Sequence, residues 1–374
     1  MPSIWPTKRN TSTKGRVFVG LSGGVDSAVS AALLQKEGYE VTGVFIRIAL
    51  EGYPCTAGED KIDAMRVAAH LRIPFLSVDL SQEYIDLVFE TSVKEFSKGR
   101  TPNPDALCNR EIKFGLFFDW CMAQGAEMVA TGHYAQTWSS DDQVLLLAGA
   151  DENKDQSYFL WAVPETKLRK TLFPVGSLTK PEVRRLAKKF GLPNSDRKDS
   201  QGLCFLGPVS IDEMLHKELQ LVPGNVVDEN GAVVGKHEGV QAYTLGQRHG
   251  FDLSAQTPDT QPHFVIAKDV GRNTITVSTS KFPEHVRETV VELSETNWIG
   301  PYSAKATQGE KLMARYRYRQ KLIPAEVNIE KSTVTLFEPH FVPEGQSLVL
   351  YDGARCVGGG VILNSRYGDT HRKS

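Results

Sequence analysis

Along residues 16–150, short apolar runs alternate with segments whose apolar positions recur at helical spacing. Val17–Leu21 reads as a strand, and Val25, Val29 and Leu33 then share one face of a helix. Val41–Ile48 reads as a second strand, followed by a helix over Asp60–Leu71 with Ile62, Met65 and Ala69 turned inward. Phe75–Leu80 and Glu127–Thr131 read as two more strands. This alternation predicts a doubly wound parallel sheet, with helices on both faces and ligands at the carboxyl ends of the strands. Helical spacing continues over Gln156–Ala162 and Lys180–Phe190. Beyond Pro208 the pieces become short and β-like (Ala232–Gly235, His263–Ile266, Thr274–Val277) between Gly, Pro, Asn and Asp turns. Then come Val290–Leu293, Leu312–Tyr318, Ala325–Ile329, Thr333–Phe337, Leu348–Tyr351 and Val357–Leu363, which fit a small six-stranded closed barrel. The fold class is therefore α/β. A disordered basic extension (1–15) precedes a parallel-sheet domain (16–207), a mostly-β central domain (208–285) and a C-terminal β-barrel (286–374).

The first strand runs into Ser22-Gly-Gly-Val-Asp-Ser27, immediately before a helix. A glycine-rich strand-to-helix turn aims backbone N–H groups at one point, and the helix dipole adds to the attraction for phosphate. The hexapeptide lacks the lysine of the kinase-type phosphate loop. It is similar to the pyrophosphate-binding loop of enzymes that cleave ATP at the α-phosphate. The simpler alternative, two glycines relieving crowding, leaves the oxygens of Ser22, Asp26 and Ser27 on one turn without a role.

The 374 residues are 40% hydrophobic and 24% charged, as in an ordinary globular protein, and allow two or three domains. No apolar run approaches the roughly 20 residues that span a bilayer, and no signal-peptide pattern is present. A net charge of -2 restricts any nucleic-acid surface to local patches. Two such surpluses exist: ten Lys/Arg against three acids over Glu165–Lys198, and five Lys/Arg with no acid over Lys311–Lys321. The first reads equally as a solvated helix face. If the strand over Leu312–Tyr318 continues to Arg319, then Arg315, Arg317 and Arg319 share one face and Tyr316 and Tyr318 the other. That strand is either a basic edge suited to phosphates and unstacked bases or a solvated face over a core-facing tyrosine pair.

Five cysteines without a Cys-x-x-Cys pair exclude a secreted disulfide framework and a zinc-like spacing. The chain reads as cytoplasmic, and the short basic stretch 1–16, with only two arginines, makes a mitochondrial leader the lesser alternative. Two prolines precede Asp105, which reads as a helix N-cap; Cys108 then lies near the third helical position. The dipole, Arg110 and Lys113 favour a thiolate there, and Asp105 opposes it. The same helix is expected to bury Leu107, Phe114, Phe118 and Cys121. Cys204 follows the first basic stretch in a glycine-bounded segment, where it is either a reactive thiol or a small apolar filler. Cys121 and Cys356 read as core, and Cys55 is undecided.

Gly20–Ser27, Thr101–Phe114, Thr131–Tyr134, Asn153–Leu160, Phe173–Gly176, Asp199–Gly207, Tyr243–Arg248 and Arg317–Gln320 together resemble the tRNA-specific 2-thiouridylases (the MnmA type). The match runs from about residue 16 to 364, in the family's order and spacing. It implies an adenine-nucleotide α-hydrolase-like fold of the PP-loop ATPase kind. The implied reaction adenylates the C2 oxygen of the wobble uridine at the expense of ATP. A persulfide on Cys204 then delivers sulfur, and Cys108 resolves it into a Cys108–Cys204 disulfide. Asp26, with Mg²⁺, would polarise groups near the α-phosphate.

The resemblance assigns ATP to Gly20, Leu21, Ser22, Gly23, Gly24, Val25, Asp26, Ser27, Ile46 and Gly132. After Ile46 the run Arg47-Ile-Ala49 departs from the family's usual basic residue, asparagine and tryptophan. Asn103, Pro104 and Asp105 would surround the target base. His133, Lys154, Asp155, Gln156, Arg317, Tyr318 and Gln346 would contact the anticodon stem-loop. The implied partners are tRNAs for lysine, glutamate and glutamine and a persulfide sulfur donor, acting on a monomer without a membrane. Asp105, Cys108 and Cys204 are three potential ligands for an iron–sulfur cluster, but the missing Cys-x-x-Cys favours the cluster-free route. Within the same fold, an ATP-dependent ligase or amidotransferase acting on a small metabolite is the alternative.

Overall fold

The computed structural model describes residues 14–54, 56–199, 209–254, 261–282, 286–303 and 308–368. Most of the N-terminal extension (1–13), Cys55 and Cys204 lie outside these residues. The chain begins β1 (Arg16–Gly20), α1 (Val25–Lys36), β2 (Glu40–Arg47), α2 (Ala57–Leu71), β3 (Phe75–Asp79). Next come α3 (Ser81–Tyr84), a π turn at Ile85–Phe89 and α4 (Glu90–Ser97). Then α5 (Pro104–Cys108) passes through a second π segment, Asn109–Leu116, into α6 (Phe117–Ala123). β4 (Met128–Ala130), β5 (Ala135–Ser139), β6 (Val144–Ala148), α7 (Glu165–Leu168), β7 (Thr171–Leu172) and α8 (Lys180–Lys189) complete this half.

Strands β3-β2-β1-β4-β7 form one sheet, and every pairing in it is parallel. Central β1 is apolar on both faces: Val17 and Val19 pack toward α1, α2 and α8, while Phe18 enters the core on the opposite side with Ile112, Phe117 and Cys121. The helix over α2 is present, but the face turned inward is Ala64, Val67 and Ala68, not Ile62, Met65 and Ala69. Small side chains let α2 lie close to the sheet, and Ile62 and Met65 remain about half exposed at 50% and 48%. Gln156–Ala162 holds only one short 3₁₀ turn, Ser157–Phe159. Its apolar residues Tyr158, Leu160 and Trp161 are all buried, so the apparent helical spacing belongs to a buried loop.

The central unit contains α9 (Ile211–Leu219) and strands β8 (Gly224–Val227), β9 (Val233–His237), β10 (Phe251–Leu253), β11 (Phe264–Asp269) and β12 (Thr274–Ser278), ordered β10-β9-β8-β12-β11. The last unit is β13 (Glu288–Trp298), β14 (Gln308–Arg315), β15 (Ile323–Asn328), β16 (Thr333–Leu336), β17 (Ser347–Asp352) and β18 (Arg355–Gly368). Their order β13-β16-β15-β14-β17-β18 is closed by antiparallel pairing of β13 with β18, giving the expected six-stranded barrel. Along β15, buried Ile323, Ala325 and Val327 alternate with exposed Pro324 and Glu326, as a filled barrel requires. The β5–β6 hairpin, which the hydrophobic pattern did not reveal, adds to the barrel sheet: Leu147 pairs with Arg355 and Leu146 with Cys356.

β14 ends at Arg315, so the expected alternation of arginines and tyrosines to residue 319 is absent. The chain turns instead: Gln320 Oε1 accepts the N–H groups of Tyr316 and Arg317, and Arg319 adopts φ +60°. Arg315 points inward to Asp155, 3.2 Å away, and stacks over the Tyr351 ring at 4.5 Å. Asp155 is 4% exposed, and its other oxygen accepts the N–H groups of Gly149 and Ser157 at 3.1 and 3.0 Å. Nearby, Asn297 Nδ2 donates to Trp161 O and Tyr158 OH to Ser347 O, so the first half and the barrel share one core.

Arg315→Met would leave the Asp155 carboxylate buried without its cation. The expected cost is about 3 kcal/mol, read as a lower urea midpoint by near-UV circular dichroism. Adding Asp155→Asn is expected to recover part of that loss, because it removes the stranded charge.

Candidate active site

The turn between β1 and α1 is tied to itself by its serines. Ser22 N donates to Ser27 Oγ at 3.2 Å, Gly24 N to Ser22 Oγ at 3.3 Å, and Ser27 Oγ to Gly24 O at 3.2 Å. Gly24 is the N-cap of α1 and offers no side chain, which leaves the first-turn N–H groups facing outward. Gly23 adopts φ +78°, and a Cβ there would lie 2.6 Å from Asp60 O. From behind, Asn194 Nδ2 donates to Gly23 O at 2.7 Å, while Arg197 pairs with Asp60 and Asp63. Gly132 permits the Thr131–Tyr134 segment to lie on this turn, since a Cβ would come 2.7 Å from Ser27 N.

These elements enclose a cleft of about 430 Å³ at the carboxyl ends of the strands. That is within the usual range for a small-molecule site. Gly20, Leu21, Ser22, Gly24, Val25, Asp26, Ser27, Ile46 and Gly132 line it, with Gly23 behind the turn. Ile48 also reaches the cleft, whereas Arg47 pairs with Asp79 and Ala49 N donates to Ser81 Oγ. Of the residues that the resemblance assigns to RNA, His133, Lys154, Gln156 and Tyr318 line the same cleft.

Asp26 accepts hydrogen bonds from Tyr134 OH at 2.8 Å and from Lys180 Nζ at 2.7 and 2.9 Å. Lys180 also reaches Asp199 at 2.8 Å, and Asp199 in turn holds Lys154 and Arg184, each at 2.7 Å. Burial raises the Asp199 carboxyl, but hydrogen bonds and charges from Lys154 and Lys180 outweigh it and hold the group at about 2. Burial pushes His133 well below the usual imidazole range, and the Lys113 charge adds to this. His133 is therefore a neutral ring, hydrogen-bonded to Thr131 Oγ1 at 2.7 Å and packed on Phe114 and Phe173. It offers a hydrogen bond or a stacking face, not a positive charge.

The helix that carries Cys108 is capped by Asn103, not by Asp105. Asn103 Oδ1 accepts Ala106 N at 3.2 Å and Pro104 occupies the first turn, where a missing N–H costs nothing. Cys108 is thus the last of five helical residues and is fully buried. Arg110, expected to favour its thiolate, pairs instead with Glu111 and Glu295. Leu107 is only partly buried, while Phe114, Phe118 and Cys121 are in the core as expected. A π segment begins at Asn109, directly after Cys108; such wide turns recur at functional sites. Burial raises the thiols of Cys121 and Cys356, the latter to about 12, as suits core residues. Cys204, and with it the Cys108–Cys204 pairing, lies outside the described residues.

The residues assigned to RNA have different partners within the fold. Asp155 is committed to Arg315 inside the protein, with no carboxylate face turned outward. Gln156 Oε1 accepts Tyr134 N at 2.9 Å, fixing the two cleft segments together. Tyr318 stacks on Phe159 at 4.7 Å, and Arg317 donates to Leu245 O of the central unit. Gln346 Oε1 accepts Tyr158 OH at 3.1 Å, and Asn103 Nδ2 donates to Ser347 Oγ at 3.2 Å, so these two lie along one seam between α5 and the barrel.

Lys180 and Tyr134 were not legible as site residues. Lys180 stands first in α8 after a Thr179/Glu182 capping box, a signal that marks a helix start and nothing more. Tyr134 belongs to the Thr131–Tyr134 segment, but its hydroxyl has a role only once Asp26 is in place. Among the described residues, no three His, Cys, Asp or Glu side chains gather as metal ligands, and no helix is long and apolar enough to cross a membrane.

Three family models match in succession. They are a tRNA methyl transferase HUP domain over residues 15–208, a tRNA methyl transferase PRC-barrel domain over 212–279 and an aminomethyltransferase beta-barrel domain over 288–362. A tRNA-specific 2-thiouridylase MnmA of Enterococcus faecalis is 43% identical over 94% of this chain and 96% of its own length. MnmA 2 of Aliarcobacter butzleri is 42% identical over 93% and 98%. MnmA of Lactococcus lactis subsp. cremoris is 43% identical over 93% and 94%. A solved 4-thiouridine synthetase–RNA complex with bound ATP aligns over 55% of this chain at 19% identity and a TM-score of 0.34, too slight a likeness to transfer anything. With sequence identity spanning both halves of the fold and the serine-tied turn at its centre, the chain belongs to the tRNA-specific 2-thiouridylase (MnmA) family.

Proposed function

We propose that this chain is a tRNA-uridine 2-sulfurtransferase that activates the wobble uridine with ATP and replaces its C2 oxygen by sulfur. One observation carries the reading: the serine-tied turn Gly20–Ser27 and the RNA-assigned side chains Lys154, Gln156 and Tyr318 line a single cleft. Nucleotide and base can therefore meet there.

The uridine C2 oxygen attacks the α-phosphorus of ATP. The new O–P bond forms as the bond to the β-phosphate oxygen breaks, pyrophosphate keeps the electron pair, and the uridine N3 proton passes to water. The N–H groups of the turn and of the first turn of α1 bind phosphate oxygens. Asp26, facing the cleft from α1, would hold Mg²⁺, an ion for which one protein carboxylate suffices. Bound there, Mg²⁺ would neutralise phosphate charge. The terminal sulfur of a persulfide on Cys204, loaded by a sulfur donor, next adds to C2 and AMP leaves. The Cys108 thiolate attacks the Cys204 sulfur, and the cleaved S–S bond leaves its electron pair on the sulfur now joined to C2. The products are 2-thiouridine and a Cys108–Cys204 disulfide, which an external dithiol reduces. The substrates proposed are tRNAs for lysine, glutamate and glutamine, bound through the anticodon stem-loop by a monomer in the cytoplasm.

In this reading Cys108→Ser and Cys204→Ser each yield no detectable 2-thiouridine by nucleoside mass spectrometry, and the Cys204 variant also fails to retain a persulfide. Thiolation surviving in either variant would refute the sulfur route. Asp26→Asn is expected to slow tRNA-dependent AMP formation by about 100-fold, measured with α-labelled ATP; AMP formation at an unchanged rate would remove Asp26 from the reaction.

A further inference from the structure

The segment Asp199–Gly207 stands out in the sequence through Cys204, yet its first residue has no part in sulfur chemistry. The Asp199 carboxylate turns toward the nucleotide cleft and accepts three cations: Lys154, Lys180 and Arg184. Arg184 is itself fixed by the carbonyls of Ser195 and Arg197, at 3.3 and 2.8 Å. Lys180 is held at both ends. Its backbone N–H donates to Asp151 Oδ2 at 2.9 Å, and its ammonium, with the side chain 13% exposed, lies between Asp199 and both oxygens of Asp26.

The serine-tied turn has no lysine of its own. Lys180 lines the same cleft as Ser22, Gly24 and Ser27, and is the cation the fold brings to Asp26. We propose that Asp199 is a positioning residue for adenylation: with Asp26 it fixes the Lys180 ammonium where that ammonium neutralises the pyrophosphate as it leaves. This rests on the adenylation reading above. In the step concerned, the uridine oxygen–α-phosphorus bond forms and the α-phosphorus–oxygen bond to the β-phosphate breaks. The electron pair goes to pyrophosphate, beside the ammonium. A charge placed by two carboxylates in advance needs no reorganisation when the bond breaks. Asp199 touches neither ATP nor base in this scheme and acts only through Lys180.

The test uses the full chain, ATP labelled at the α-phosphate and a tRNA transcript with a wobble uridine, without sulfur donor, so that labelled tRNA reports adenylation alone. Persulfide loading of Cys204 is measured separately by mass spectrometry. Lys180→Met and Asp199→Asn are each expected to lower the rate constant of labelling by about 100-fold, with the KM for ATP changed less than about 3-fold and with persulfide loading retained. Lys180→Arg, which keeps the charge, is expected to stay within about 10-fold of wild type. The double variant Lys180→Met/Asp199→Asn is expected to be no slower than Lys180→Met, as for two residues acting as one unit. Wild-type labelling by Asp199→Asn would overturn the proposal, as would a loss of persulfide loading with labelling intact, or an additive double variant. Absence of label in the wild-type chain would overturn the adenylation reading itself, and the proposal with it.

Discussion

Arg315 and Asp155 form the contact on which the shape of the cleft depends. Asp155 is buried and Arg315 nearly so, which makes the carboxylate tolerable only in the presence of its cation. Asp155 gathers the N–H groups of Gly149 and Ser157, which shapes the loop bearing Lys154 and Gln156. Arg315 is the last residue of β14, and the turn that follows it carries Tyr318 and Arg319 to the rim of the cleft. A single ion pair therefore sets the wall of a nucleotide-sized cavity from both the parallel-sheet half and the barrel. Replacing it by a looser contact would displace both walls together.

Around the serine-tied turn, charge is arranged by long-range pairing. The basic surplus over Glu165–Lys198 is only partly a solvated face. Arg185 and Lys188 are exposed, but Lys180, Arg184 and Arg197 turn inward to Asp26, Asp199, Asp60 and Asp63. The backbone of the turn supplies N–H groups, and a helix more than 150 residues away supplies the ammonium. In the reaction proposed above, phosphate recognition is split between a local peptide and a distant side chain, each held by its own hydrogen bonds.

What could be read from the sequence was what is encoded locally. Val17–Leu21 followed by Ser22–Ser27 announces a strand, a turn and a helix within a dozen residues, and the structure has all three. The six barrel strands declared themselves through apolar alternation and regular turns. Periodicity could establish that α2 is a helix, but not which side faces the sheet, because the choice of Ala64 and Ala68 over Ile62 and Met65 reflects how closely the helix must approach. The aromatic stretch Tyr158–Ala162 looked helical because all its residues but the partly buried Phe159 lie in the core. The contacts Lys154–Asp199, Asp26–Lys180 and Asp155–Arg315 span 45, 154 and 160 residues, which no window along the chain could relate. The assignment of Asp155 to RNA followed its motif, whereas its environment gives it to the barrel.

The β5–β6 hairpin has a consequence for how the protein can be divided. It is encoded in the N-terminal half, yet one edge of β6 is paired to β18 of the barrel. An N-terminal fragment ending before the barrel would present that edge with its N–H and C=O groups open, together with the apolar side chains of Leu146 and Val144 now covered by the shared core. Exposed strand edges of this kind template self-association. The halves are thus not separable modules in tandem: the barrel covers a strand edge of the parallel-sheet half, and truncation is expected to favour self-association.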